Sequence, residues 1–237
     1  MMRVSRCGAG ALLSVAVAAA VAVSGCTSTV AGVAVRDPGA GLANVRPLRA
    51  AQLDDVLLSI SELNTVMGAT KMEVVLTGQE MSDNSEAVSD PDCLGSIFGA
   101  EDTVYRGSEW TAVRDQVARE PSDDNDHWVE QSAVLYPSEQ MAADFVENSE
   151  SAWRDCGGFS VVVNDGTSSS IWQINDVEHD DDVVTQVISQ EDSDGWECQH
   201  AMSSVSNLSV EGIACAFGVN GEAVSMVKAL LANAAKQ

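Results

Sequence analysis

Glu109-Trp110-Thr111-Ala112-Val113-Arg114-Asp115-Gln116-Val117-Ala118-Arg119 is the stretch whose reading decides the fold class. Trp110, Ala112, Arg114 and Gln116 alternate with Thr111, Val113, Asp115 and Val117, and a period of two is the period of a strand. Residues 121–126, with Pro121 at their head, read as a turn. Residues 127–136 read as a second strand, which Pro137 ends. Together they predict an antiparallel hairpin.

Working outward from the hairpin, Ser138 is placed to cap a helix. Met141, Ala142, Phe145, Ala152 and Trp153 share one face of it at helical spacing, and Cys156-Gly157-Gly158 stops it. Residues 159–163, 169–174 and 182–189 are three further strand candidates. Cys198 is expected to open a short helix running through Ala201 and Met202. Residues 208–217 read as another strand. Asn220 is expected to cap a final helix with the apolar stripe Ala223, Val224, Val227, Leu230, Leu231 and Ala234. Upstream, Ser59-Ile60-Ser61-Glu62 is a capping box before a short helix that stops at Gly68. Residues 71–77 look like a strand, 79–90 like a polar loop, and 92–98 like one or two helical turns carrying Cys93. The predicted fold class is α+β: a single domain with a mainly antiparallel sheet and helices packed on it.

The amino terminus carries a different message. Arg3 and Arg6 precede an uncharged, Ala- and Val-rich stretch, and small Ser24 and Gly25 precede Cys26. This is the layout of a secretory signal, and its apolar core is shorter than the roughly 20 residues a membrane-spanning helix needs. Val23-Ser24-Gly25-Cys26 resembles the lipobox of bacterial lipoproteins. That resemblance implies cleavage before Cys26 and attachment of a diacylglyceryl group to its thiol. At least two acyl chains would then hold the protein to the membrane, where one chain holds only marginally. Residues 1–25 are expected as signal peptide, 26–47 as lipidated cysteine and flexible tether, and 48–237 as the folded domain. About 20 extended tether residues reach at most roughly 70 Å.

Composition narrows the partners. The chain is 237 residues long and 45% hydrophobic, enough for a packed core. Its formal charge of -24 argues against nucleic acid, which is bound through basic patches, and against lying on an anionic membrane. Of six cysteines, Cys7 leaves with the signal and Cys26 takes the lipid. Cys93, Cys156, Cys198 and Cys215 remain for two disulfides in an oxidising compartment, with three pairings open.

Asp92-Cys93-Leu94-Gly95, Val104-Tyr105-Arg106-Gly107-Ser108-Glu109-Trp110, Tyr136-Pro137-Ser138, Trp153-Arg154-Asp155-Cys156-Gly157 and Ser206-Asn207-Leu208-Ser209-Val210, in that order, resemble the PknH-like extracellular sensor domains of mycobacteria. The resemblance implies one α+β domain with a wide cleft and an unidentified ligand. It also implies the pairings Cys93 with Cys156 and Cys198 with Cys215. No kinase domain accompanies it in this sequence.

Motifs for catalysis are missing from the sequence. His127, His179 and His200 sit in neither H-E-x-x-H nor beside a G-x-S-x-G elbow. The acidic runs Glu178-His179-Asp180-Asp181-Asp182 and Asp123-Asp124-Asn125-Asp126 lack the glycine turn and ligand alternation of a calcium loop and read as solvated turns. No cofactor or metal is expected. Trp110, Trp128 and Trp172, in predicted strands, are the candidates to line a ligand groove, whereas Trp153 reads as core. The function that follows is a non-catalytic, ligand-binding domain. It would be held by Cys26 to the outer face of the plasma membrane and bind a small envelope molecule or a protein. The alternatives are a cell-envelope hydrolase with an unrecognised site and a structural partner of another envelope protein.

Overall fold

The computed structural model describes residues 42, 44–121, 125–164 and 166–237. The signal peptide, Cys26, most of the tether, and Asp123 and Asp124 at the centre of the turn at 121–126 lie outside the described residues. Eight strands form one sheet: β1 (Glu73–Gly78), β2 (Ala112–Arg119), β3 (His127–Leu135), β4 (Ser160–Asn164), β5 (Ser169–Asp180), β6 (Val183–Gln190), β7 (Trp196–Val205) and β8 (Leu208–Phe217). Their order is β1-β2-β3-β8-β7-β6-β5-β4, and every pairing is antiparallel. The hairpin of the quoted stretch is β2–β3, in unbroken register from Ala112 opposite Leu135 to Arg119 opposite Trp128.

Helices cover both faces. On one side lie α1 (Ile60–Met67) and α5 (Glu222–Ala234). The apolar stripe of α5 is buried with Leu63, Ala133, Val210 and Ala214. Leu42 and Val45, at the end of the expected tether, pack against this same cluster. Nearby, Asn207 accepts from the Leu48 N–H at 2.7 Å and donates to its carbonyl at 3.1 Å. On the other side lie α4 (Glu139–Cys156), the short helices α2 (Leu94–Ile97) and α3 (Asp102–Tyr105), and a 3-10 turn at Pro91–Cys93. Two apolar clusters sit under them, one around both disulfides and one around Tyr105, Tyr136, Phe145 and Trp153.

The local signals act as their chemistry dictates. Ser59 accepts from the Glu62 N–H, Glu62 accepts from the Ser59 N–H at 2.8 Å, and Gly68 closes α1 at φ 66°. That left-handed turn suits a residue without Cβ. Replacing Ser59 with alanine is expected to cost about 1 kcal/mol, the usual value of an N-cap. Urea unfolding checks it, and an unchanged midpoint would mean that packing alone sets this helix.

Three expectations need correction. The helix expected from Cys198 is strand β7. Its central residues are buried on both faces, so hydropathy does not alternate, and Ala201 and Met202 are good helix formers in isolation. Pairing with β6 and β8 overrides that preference. The cap of α5 is Gly221, at φ 94°, not Asn220. The Asn220 N–H instead donates to the Glu222 carboxylate, which occupies the positive end of the helix. Strand β5 also runs to Asp180, past the expected end at Ile174, after an irregularity in register.

The two sheet edges differ. The outer side of β4 is covered, with Val88 bridging Val163 and the Ser89 N–H donating to the Val162 carbonyl. Strand β1 carries exposed Val74, Val75 and Leu76, and a bulge between Val74 and Leu76 interrupts its register.

Candidate functional site

Helix α4 positions the site. One stripe of it packs on the sheet through Ala142, Phe145 and Trp153, and the neighbouring stripe of Asp144, Asn148 and Ala152 turns into a cleft. The facing wall is the segment from Pro91 to Ser108, with Gly95, Ser96, Thr103 and Val104 lining it. The cleft volume is about 740 Å³, within the range of about 300–1,000 Å³ that small-ligand sites occupy.

The two walls are fastened together at several points. Cys93 of one is bonded to Cys156 at the end of α4. Tyr105 of α3 stacks on Phe145 of α4 with ring centroids 4.1 Å apart. Gly95 lets α2 approach closely, since a Cβ there would lie 3.3 Å from Val104 and 3.7 Å from the Trp153 indole nitrogen. The second disulfide joins Cys198 to Cys215, directly opposite on β7 and β8. Both bridges match the pairing the resemblance implies.

Hydroxyls dominate the polar lining. Ser96 is 1% exposed and its Oγ has no hydrogen-bond partner, and the Oγ1 of Thr103 is likewise buried without one. Arg106, the single cation among the lining residues, pairs with Asp102 at 2.7 Å. Asp92 and Asp144 give the rim a negative balance.

Beneath the cleft, the same face of the sheet holds a buried polar seam. Asp115, Ser132 and Glu211 are directly opposite one another on β2, β3 and β8, and Glu130 and His200 lie two residues along. Glu211 accepts from the Tyr105 hydroxyl at 3.0 Å and from the Ala100 N–H at 3.1 Å, and its other oxygen lies 2.8 Å from His200 Nε2. The His200 ring packs on Trp153 at 4.3 Å, and its Nδ1 has no partner. Burial pushes the Asp115 carboxyl up to about 6 and Glu130 well above the usual range, and these two acids hydrogen-bond each other. Burial also raises Glu101, which Asn84 partly offsets by donating to it.

Of the sequence candidates, Trp110 packs half-buried against the Tyr105 cluster. Trp128 and Trp172 pack against the disulfide cluster, and the Trp172 indole donates to Ser170. None of these three lines the cleft, whereas Trp153 does. A strand side chain points at whichever layer covers it, and here that layer is apolar packing. The histidines are dispersed: His127 pairs with Glu120, His179 with Glu150, and His200 with Glu211. Asp180 and Asp181 of the acidic turn hold Lys228 at 2.7 and 3.3 Å. Among the described residues, no group of three or more His, Cys, Asp or Glu is arranged to hold a metal ion. No helix among them is long and apolar enough to cross a membrane.

Comparison with known proteins gives a consistent answer. The family model for the PknH-like extracellular domain matches residues 48–233. The serine/threonine-protein kinase PknH of Mycobacterium bovis is 34% identical over 178 residues, 75% of this chain and 30% of the kinase. PknH of Mycobacterium tuberculosis is equally similar, with 28% of its length covered. The chain thus spans less than a third of the curated relatives it matches. The crystal structure of the extracellular domain of PknH from Mycobacterium tuberculosis superposes with a TM-score of 0.78 at 32% identity, covering 82% of this chain and all of that one.

Proposed function

We propose, since this chain belongs to the PknH-like extracellular domain family, that it is a lipid-anchored surface domain that captures a small molecule in the cleft between α4 and the 91–108 wall. The observation that carries the reading is the cleft itself: two walls fastened by Cys93–Cys156 around a polar opening that includes Asp92, Asp144 and Asn148. Fixed walls also spare a ligand the ordering penalty of closing them. The chemistry this suits is recognition rather than turnover, because the polar groups lining the cleft are hydroxyls, an amide, two carboxylates and the Arg106 guanidinium, with no histidine among them.

The anchor supplies the location. Val23-Ser24-Gly25-Cys26 behind a short apolar core supports lipidation of Cys26 and an extracytoplasmic domain. Replacing Cys26 with alanine in cells that process lipoproteins is expected to move the protein wholly from the detergent phase to the aqueous phase. Wild-type protein that stays aqueous would reject the anchor. For the cleft, native mass spectrometry of the processed protein is expected to show a noncovalent adduct. Filling the cleft with Ala152→Trp should remove that adduct; an adduct that survives would place the ligand elsewhere.

A further inference from the structure

The seam beneath the cleft holds more acid than a buried site keeps ionised. Asp115 on β2, Glu130 on β3, Glu211 on β8 and Glu101 at the start of α3 are all buried. The titratable groups that face them are His200 of β7, Tyr105 and Tyr136 beside Glu211, and Asp83 near Glu101. β1 meets Asp115 through Gly78, and α4 meets His200 through Trp153. The neighbouring Arg114 turns to the opposite side of the strand, where it holds Asp54 at 2.8 Å. Arg106, Arg154 and Lys228 hold Asp102, Glu150 and Asp180. Asp115 and Glu130 hydrogen-bond each other. Two carboxyl groups do so only when one of them carries a proton, so the pair is a proton-binding site.

One stretch of backbone closes the seam. Gly99 lies so near Glu130 that a Cβ would meet the carboxyl at 3.2 Å. Ala100 donates its N–H to Glu211 at φ 49°, a left-handed conformation that is strained for a residue with a Cβ. Tyr105 donates its hydroxyl to the same carboxyl. Glu101 accepts from both the backbone and the side-chain N–H of Asn84. Thr103 and Val104 of this stretch line the cleft. We infer that residues 99–105 form a proton-operated latch: protons on the Asp115–Glu130 pair hold the segment closed on the sheet, and their loss lifts it and moves the cleft wall. Facing carboxylates repel and demand water, and lifting the strained turn at Ala100 admits it. Burial raises both acids, Asp115 to about 6, so release begins between pH 5 and 8. The acids act on the wall without touching a ligand, so the latch and the adduct test above fail independently.

Hydrogen exchange read by mass spectrometry on the natively processed protein tests it, with rates corrected for the intrinsic acceleration of exchange by pH. Peptides spanning 99–105 are expected to lose at least about tenfold in protection from pH 5 to 8, one unit of the Asp115 shift. About 1 M urea should leave their protection unchanged, because lifting one segment exposes little surface, while it lowers that of α5, which opens only on global unfolding. Asp115→Asn combined with Glu130→Gln keeps the shapes and a hydrogen bond without ionisable protons, and should remove most of the loss. Protection of 99–105 that does not change with pH would overturn the latch. So would protection that urea lowers as it lowers α5, and these two wild-type outcomes decide even if the double variant does not fold. A folded double variant with the wild-type pH profile would overturn the acid pair as the trigger.

Discussion

Replacing Cys93 and Cys156 together with alanine is expected to lower the unfolding free energy by about 4 kcal/mol. The bridge spans a sequence separation of 63, and closing a loop of that size removes that much entropy from the unfolded chain at 25 °C. Both sulfurs are buried among Leu94, Val161 and Ile174, so the substitution also loses apolar contact. The effect should not be confined to stability. Cys93 begins one cleft wall and Cys156 ends the other, so the double variant is expected to bind the cleft ligand more weakly than its stability loss alone explains. Urea unfolding and ligand titration on the same preparation separate the two. A loss below about 1 kcal/mol would mean that packing rather than the bridge fixes the walls. The Cys198–Cys215 bridge, with a separation of 17 between strands already paired, should matter less.

Stability is also expected to fall as pH rises from 5 to 8, with about 1.4 kcal/mol of the loss coming from Asp115. The folded state pushes Asp115 up from 3.8 to about 6 because burial disfavours its charged form. A folded-state value above the unfolded one means that the native protein binds the proton more tightly. The contribution is therefore fully present below the unfolded value and lost as pH rises through the folded one. About one unit separates pH 5 from the folded value, and at 1.36 kcal/mol per unit that gives the magnitude in this window. Glu130, raised well above its ordinary range by burial and by Asp115, Glu211 and Glu101, extends the loss toward higher pH. Growing repulsion among the many surface carboxylates acts in the same direction, and Asp115→Asn isolates the buried part. Urea midpoints of the variant should vary less between pH 5 and 8 than those of the wild type. Equal pH profiles, or a wild type that gains stability with pH, would sink the assignment.

The parts of this fold that were legible in the sequence are those where one face of an element meets solvent or where a cap is local. The β2–β3 hairpin, α1 with its capping box, and α4 and α5 with their apolar stripes are of this kind. Strand β7 was not, because Cys198, His200 and Met202 face α4 while Gln199, Ala201 and Ser203 face α5, and both sides are buried. The cleft was half legible. The resemblance implied it, but the stripe read on α4 as core gave no hint that Asp144 and Asn148 beside it form a wall. Trp110, Trp128 and Trp172 lie outside the cleft lining, because large rings serve packing as readily as binding. The buried acids did leave a trace, since Asp115 falls between Val113 and Val117 on the apolar face of the quoted stretch. A carboxylate at an inward position is the signal that would have found them.

Helix α4 belongs at once to the cleft and to the core, because Phe145 and Trp153 are nearly inaccessible to solvent yet border the opening. Unfolding must therefore release whatever the cleft holds, and occupancy raises the melting temperature. A ligand at a hundred times its Kd adds about 2.7 kcal/mol to the unfolding free energy. Under the proposed binding, the melting temperature becomes a label-free readout of cleft occupancy. A fractionated envelope extract can be ranked by the shift each fraction produces, before any molecule in it has been identified.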